Sequence, residues 1–263
     1  MQLIIGTHAL IQDDIKFKDL GMIIIDEQHR FGVEQRKALI DKGYSPEVLA
    51  LTATPIPRTL AFTIHGDMDI SIIDELPKNR LPIITKIAQP NKMDQIYSFM
   101  KKEMDKSRQC FVVYPIIEES EKLDWKAANT GFEYLKEKVF PNYSIGYIHG
   151  KMKKDERDKQ MQDMANNKIQ CLVATTVVEV GIDIPNSTIM GIENAERFGL
   201  TQLHQLRGRI GRGNKQSYCI LIQHGNSPDS THRLKIMEST CLLYTSDAAD
   251  EGLGVDLGGR RII

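Results

Sequence analysis

Short apolar runs rich in β-branched residues recur along this chain, and stretches with helical spacing lie between them. Met22 to Ile25, Val48 to Leu51, Cys110 to Tyr114, Tyr143 to Ile148, Cys171 to Thr176, Thr188 to Glu193 and Ser217 to Ile222 each read as a strand. Leu3 to Gly6 and Met68 to Ile73 read as two more. Helical patterns run from Val33 to Lys42, along Met93, Ile96, Tyr97, Met100 and Met104, along Trp125, Ala128, Phe132, Leu135 and Val139, from Lys153 to Met164, and from Thr201 to Arg207. Strands that alternate with helices predict parallel sheets covered by helices on both faces. The alternation breaks between Glu75 and Pro82, where two prolines and charge interrupt it. The expected fold is α/β with two parallel-sheet lobes, residues 1–76 and 91–240, joined by a linker over 77–90. The chain starts inside a strand, so the first lobe is expected to be truncated at its N-terminus. Residues 241–263 have no periodic apolar pattern. Their run Cys-Leu-Leu-Tyr-Thr-Ser-Asp-Ala-Ala-Asp-Glu resembles the translation of an adapter used to prepare sequencing libraries, and the tail is expected to be non-native.

Composition narrows the class. With 263 residues, 41% of them hydrophobic and 26% charged, the chain has room for a sizeable core and no mark of disorder. Cys110, Cys171 and Cys219 sit in apolar runs, Cys241 in the tail, and no C-x-x-C pair occurs. Buried thiols of a reducing compartment are expected, not zinc. No apolar run approaches the ~18 residues of a membrane span, and the N-terminus lacks the features of a signal peptide. A cytoplasmic protein follows. The net charge of −1 provides no global basic field, so any nucleic-acid binding must use local contacts.

Chemistry-bearing residues gather at strand ends. Asp26 and Glu27 follow the run Met22 to Ile25, at the end where open α/β sheets bind ligands. There Asp26 can hold Mg²⁺ through water and Glu27 can polarise an attacking water; a solvated strand end is the plainer reading. Arg207, Arg209 and Arg212, interleaved with glycine, can converge on one anionic target, or form a solvated basic loop. Thr175 and Thr176 can touch a nucleic-acid backbone. Asp183, just past Gly181, can reach a ribose or the water around a γ-phosphate. Thr52 and Thr54 can bond to the turn of the acidic strand. Thr7 and His149 each sit in a glycine turn that suits a phosphate contact.

Taken in order, these pieces resemble the motor core of superfamily 2 helicases over nearly all of residues 1 to 240. Four stretches narrow the resemblance: Asp26 to Gln35 (DEQHRFGVEQ), Leu51 to Ala61 (LTATPIPRTLA), Gly66 to Pro77 (GDMDISIIDELP) and Ala195 to Gly213 (AERFGLTQLHQLRGRIGRG). They are similar to the RecG family of bacterial ATP-dependent DNA helicases. The transcription-repair coupling factor family shares TATPIPRTL and QLRGR, but lacks the ISIIDELP segment. The resemblance implies two RecA-like lobes with ATP and Mg²⁺ in the cleft between them. Asp26 would hold Mg²⁺ and Glu27 would activate water. Gln28 and His29 would couple the site to Thr52 and Thr54. Gly181 and Asp183 would approach the nucleotide, Gln205 would line the cleft, and Arg209 and Arg212 would act as arginine fingers. Thr7, His149, Thr175 and Thr176 would lie nearer DNA. The implied activity is remodelling of branched DNA, replication forks and Holliday junctions, by a monomeric motor in repair and recombination.

The sequence also departs from the family. It contains no G-x-x-x-x-G-K-[ST] phosphate loop, so an internal fragment with negligible ATP hydrolysis of its own is expected. Two alternatives stand beside the helicase reading. One is a translocase of the coupling-factor type. The other is a non-enzymatic nucleic-acid-binding module that uses the arginine–glycine cluster alone and has no use for Asp26 and Glu27.

Overall fold

A strand buried on one face alternates between covered and exposed positions, whereas a strand covered on both faces has no polar side to show. Both kinds occur in this chain. The computed structural model describes residues 3–28, 31–52, 69, 71, 73, 80–115, 121–175 and 184–239. It divides into two units, Met1–Met68 and Asp69–Ile263. The expected strand at 68–73, the tail 241–263, and His29, Thr54, Thr176, Gly181 and Asp183 lie wholly or mostly outside the described residues.

In the first unit, β1 (Met22–Ile25) and β2 (Glu47–Ala50) flank helix α1 (Val33–Ile40). The strands pair in parallel, with Met22 opposite Glu47 and Ile25 opposite Ala50. Ile23 and Ile25 are buried, while Met22 and Ile24 are more than half exposed. Among the described residues, this sheet therefore has one covered face. Leu3 to Gly6, expected as a strand, has no strand partner among the described residues, and Leu3 and Ile5 are exposed. Apolar β-branched residues make a strand only where a neighbouring edge supplies the ladder. Here they lead into a 3₁₀ turn at His8–Ile11.

The second unit is one six-stranded sheet in the order β3-β8-β7-β4-β6-β5, parallel throughout. Its elements run β3 (Ile84–Ala88), α2 (Met93–Met104), β4 (Gln109–Tyr114), α3 (Glu121–Tyr134), β5 (Ile145–Ile148), α4 (Lys154–Ala165), β6 (Cys171–Thr175), β7 (Ser187–Ile192), α5 (Leu200–Arg207), β8 (Tyr218–Ile222) and α6 (Pro228–Ser239). The strands β6 and β7 are buried at every position. Alternate residues of one strand feed different clusters. Cys110, Val112 and Val173 pack with Ile96, Met100 and Met104 of α2. Phe111, Val113 and Leu172 pack with Met161 and Met164 of α4, Leu203 and Leu206 of α5, and Leu234 and Met237 of α6. Helices thus cover both faces, as the alternation predicts. The thiols of Cys110, Cys171 and Cys219 are buried and free. Burial pushes Cys171 and Cys219 up to about 12.

One boundary is corrected. Residues 84–88, inside the expected linker 77–90, form β3 on the edge of the sheet against β8. The prolines at 82 and 90 flank this strand instead of breaking it. An edge strand tolerates proline at its ends because one side of its ladder is unused.

Candidate functional site

The acidic turn of the first unit is built from backbone outward. Chain leaving β1 turns at Glu27, whose φ of 50° is unusual for a residue with a side chain. The Glu27 N–H donates to Asp26 Oδ1 at 2.9 Å, which orients the exposed Asp26 carboxylate. Gln28 is buried and locks the turn to the neighbouring strand: its N–H donates to the Leu51 carbonyl at 3.1 Å, and its Oε1 accepts from Arg36 at 3.4 Å. Leu51 in turn donates to the Ile25 carbonyl at 2.8 Å. Asp26, Glu27 and Gln28 are therefore brought beside residue 51, one position before Thr52. Thr7 lies at the start of the 3₁₀ turn with an exposed side chain, next to His8, whose ring stacks on Phe31 at 4.2 Å.

In the second unit the predicted residues fall at the C-terminal ends of strands. Thr175 ends β6 and is buried; among the described residues its hydroxyl has no hydrogen-bond partner. His149 follows β5, the sheet's other edge, with its ring 5.2 Å from that of Tyr147. Burial lowers the His149 pKa, with Lys151 acting in the same direction and Glu156 against it. The imidazole is held toward its neutral form, which suits a hydrogen bond better than an ion pair.

The arginines separate. The sequence allowed all three to converge on one anionic target or to form a solvated loop, and Arg207 does neither. It is buried at the end of α5, where it donates to the Met237 carbonyl at 3.2 Å and lies 3.4 Å from Thr85 Oγ1. His204 Nδ1 is 2.9 Å from its other terminal nitrogen. Burial and the Arg207 charge lower the His204 pKa to about 3, so this imidazole is neutral and accepts the bond. The reason is where the helix stops: Arg207 is the last residue of α5, and Arg209 lies past Gly208 in the turn that follows, its N–H donating to the Leu206 carbonyl at 2.9 Å. Gln205 and Arg209 are half-buried, and Arg212 Nε bonds to the Gly208 carbonyl at 3.3 Å. Between them, Gly211 takes φ +71°, and a Cβ there would lie 2.9 Å from Ile83. Glycine is what lets this loop turn back so tightly.

Residues 1–62 match the DEAD/DEAH box helicase family, and residues 91–214 match the helicase conserved C-terminal domain. The chain is 52% identical over 240 residues to the ATP-dependent DNA helicase RecG of Synechocystis sp., covering 91% of this chain and 29% of that protein. It is 49% identical over 262 residues to RecG of Streptococcus pneumoniae, covering 98% and 39%. A solved structure of RecG bound to a three-way DNA junction superposes with a TM-score of 0.74 at 39% identity, over 98% of this chain and 33% of that one. Over 91–98% of its own length the chain is thus similar to RecG helicases. It spans 29–39% of the length of these curated relatives. Saccharomyces cerevisiae Dbp5 bound to RNA and ADP BeF3 shares the fold at 15% identity, with a TM-score of 0.61 and 94% of this chain covered.

One cluster in the second unit escaped the sequence. Glu193, just past β7, is buried, and its Oε2 lies 3.0 Å from His224 Nε2 beyond β8. Burial raises the Glu193 pKa, opposed by the bond to His224. The Glu196 carboxylate accepts from the backbone N–H groups of His224 at 3.2 Å and Gly225 at 2.7 Å. The partners of Glu196 are main-chain groups nearly thirty positions away, and main-chain groups leave no mark in side-chain pattern. Among the described residues, no cluster of three His, Cys, Asp or Glu side chains could hold a metal, and no helix is long and apolar enough to cross a membrane.

Proposed function

We propose that this chain is part of an ATP-dependent motor that remodels branched DNA, regressing replication forks and migrating Holliday junctions in repair and recombination. The observation that carries the reading is near-50% identity to RecG helicases along a chain that presents their motifs in order. The relative solved on a three-way DNA junction supports branched DNA as the partner. A cytoplasmic, monomeric motor completes the reading.

Asp26 would hold Mg²⁺. Its exposed carboxylate, oriented by the Glu27 N–H, suits a hard cation that takes its remaining ligands from nucleotide oxygens and water. When bound, such an ion screens charge on the phosphates. Glu27 would orient and deprotonate the attacking water. Gln28, with His29, would carry the state of that turn to Thr52 and Thr54, through the bond to residue 51. Gly181, Asp183 and Gln205 would contact the nucleotide, and Arg209 and Arg212 would neutralise charge growing on the transferred phosphate. Thr7, His149, Thr175 and Thr176 would touch the DNA backbone, positioning without reading sequence.

The test is DNA-stimulated ATP hydrolysis by a chimera in which a curated relative supplies the missing phosphate loop and flanking regions. Hydrolysis by the chimera, and its loss on Arg209→Ala with DNA binding retained, is expected. Equal loss of hydrolysis and binding would overturn the role of Arg209.

A further inference from the structure

Helix α5, which carries Gln205 and leads to Arg209, packs against α6 through Leu203, Leu206, Leu234 and Met237. Polar bonds fasten the pair at both ends. At one end, Arg207 donates to the Met237 carbonyl in the last turns of α6. At the other, everything meets at Glu196, four residues before α5. Its carboxylate accepts two main-chain N–H groups of the turn before α6, and its carbonyl accepts from Arg233 of α6 at 3.1 Å. Gly225 eases the approach, since a Cβ there would sit 3.3 Å from Glu196 Oε1 and push the carboxylate back by a few tenths of an ångström. Glu193 and His224 add a side-chain pair to the same turn. Gln223 continues the contact, donating to Gly225 and to Thr231 of α6.

A carboxylate this engaged is unavailable to nucleotide or DNA. Charge-assisted bonds to two main-chain N–H groups are strong and directional, and here they fasten one end of a helix pair whose other end is held by Arg207 and whose shared face is apolar. We propose that Glu196 is a positioning residue, which makes α6 move as one piece with the arginine-bearing helix α5. This rests on the reading of Arg209 and Arg212 as nucleotide contacts. Under it, a displacement of α5 on hydrolysis is delivered to α6 and not absorbed in the turn after β8.

The experiment has two readouts. Amide hydrogen exchange of the 263-residue chain is compared for wild type, Glu196→Ala and Glu196→Gln. The alanine variant is expected to exchange at least tenfold faster in the 223–227 turn, in α6 and in residues 205–212, with β4 and β6 unchanged. Glutamine, which keeps one acceptor oxygen, is expected to restore most of the protection. Faster exchange confined to 223–227 would overturn the proposal, as would loss of protection across the whole sheet. In the chimera, Glu196→Ala is expected to raise the ATP consumed per DNA junction unwound at least fivefold. Equal loss of hydrolysis and unwinding would assign Glu196 a merely structural part. A chimera that hydrolyses no ATP at all would sink the nucleotide reading and leave the exchange result standing.

Discussion

Each unit ends a parallel strand in acids, and the two ends have different fates. After β1, the chain turns sharply at Glu27 and binds the neighbouring strand through the backbone of Gln28, leaving the Asp26 carboxylate in water. After β7, the turn that follows β8 folds over the acids, so Glu193 is buried against His224 and Glu196 is consumed by main-chain donors. The arginines repeat the contrast within one motif: Arg207 is a buried fastening, and Arg212 remains at the surface end of its loop. Charge alone does not mark a site. What matters is whether burial and several partners at once have already taken it up.

The largest expected effect is on the acidic turn after β1. In the chimera, Glu27→Gln should lower DNA-stimulated ATP hydrolysis by about 10³-fold, while denaturant unfolding of the 263-residue chain, in which the half-buried side chain keeps its shape, shifts by no more than about 1 kcal/mol. A large stability loss would erase the contrast. Next, Arg207→Met should destabilise the second unit by about 3 kcal/mol, because it strands His204 and the Met237 carbonyl in the interior; urea unfolding measures it. A change as small as that of Arg212→Met would show that burial of Arg207 matters little. Gly211→Ala should cost about 1–2 kcal/mol for the left-handed backbone, read as a lower unfolding midpoint.

The smallest effect is a slope. Burial raises the Glu193 pKa above its ordinary 4.5. Between those two values the folded chain keeps a proton that the unfolded chain releases, so this group's contribution to stability falls as pH rises through the window. Glu193→Gln should therefore give a flatter stability curve from pH 4.5 upward, followed by thermal melts at several pH values. Identical slopes would mean that His224 offsets the burial completely.

Much of the fold was legible because fully buried parallel strands, such as Cys171–Thr175 and Ser187–Ile192, are short, mainly apolar stretches that alternate with segments of helical spacing. The edge strand Ile84–Ala88 was hidden by the prolines around it. The acidic turn and the arginine loop were legible as clusters, but their sorting was not. Arg207 and Arg209 differ by two positions in sequence, but the helix ends between them. Glu196 left no trace at all, since its partners are backbone groups of a distant turn.

The placement of β3 also has a consequence for how the second unit is made. Among the described residues, its first strand pairs only with its last, Ile84 beside Tyr218. At ribosomal speeds of about 5–20 residues per second, β3 would wait on the order of ten seconds for that partner to emerge. During that interval its hydrogen-bonding edge is open to other chains. Translation rate, and any chaperone that shelters a nascent strand, therefore bear on the yield of this unit more than its final stability suggests.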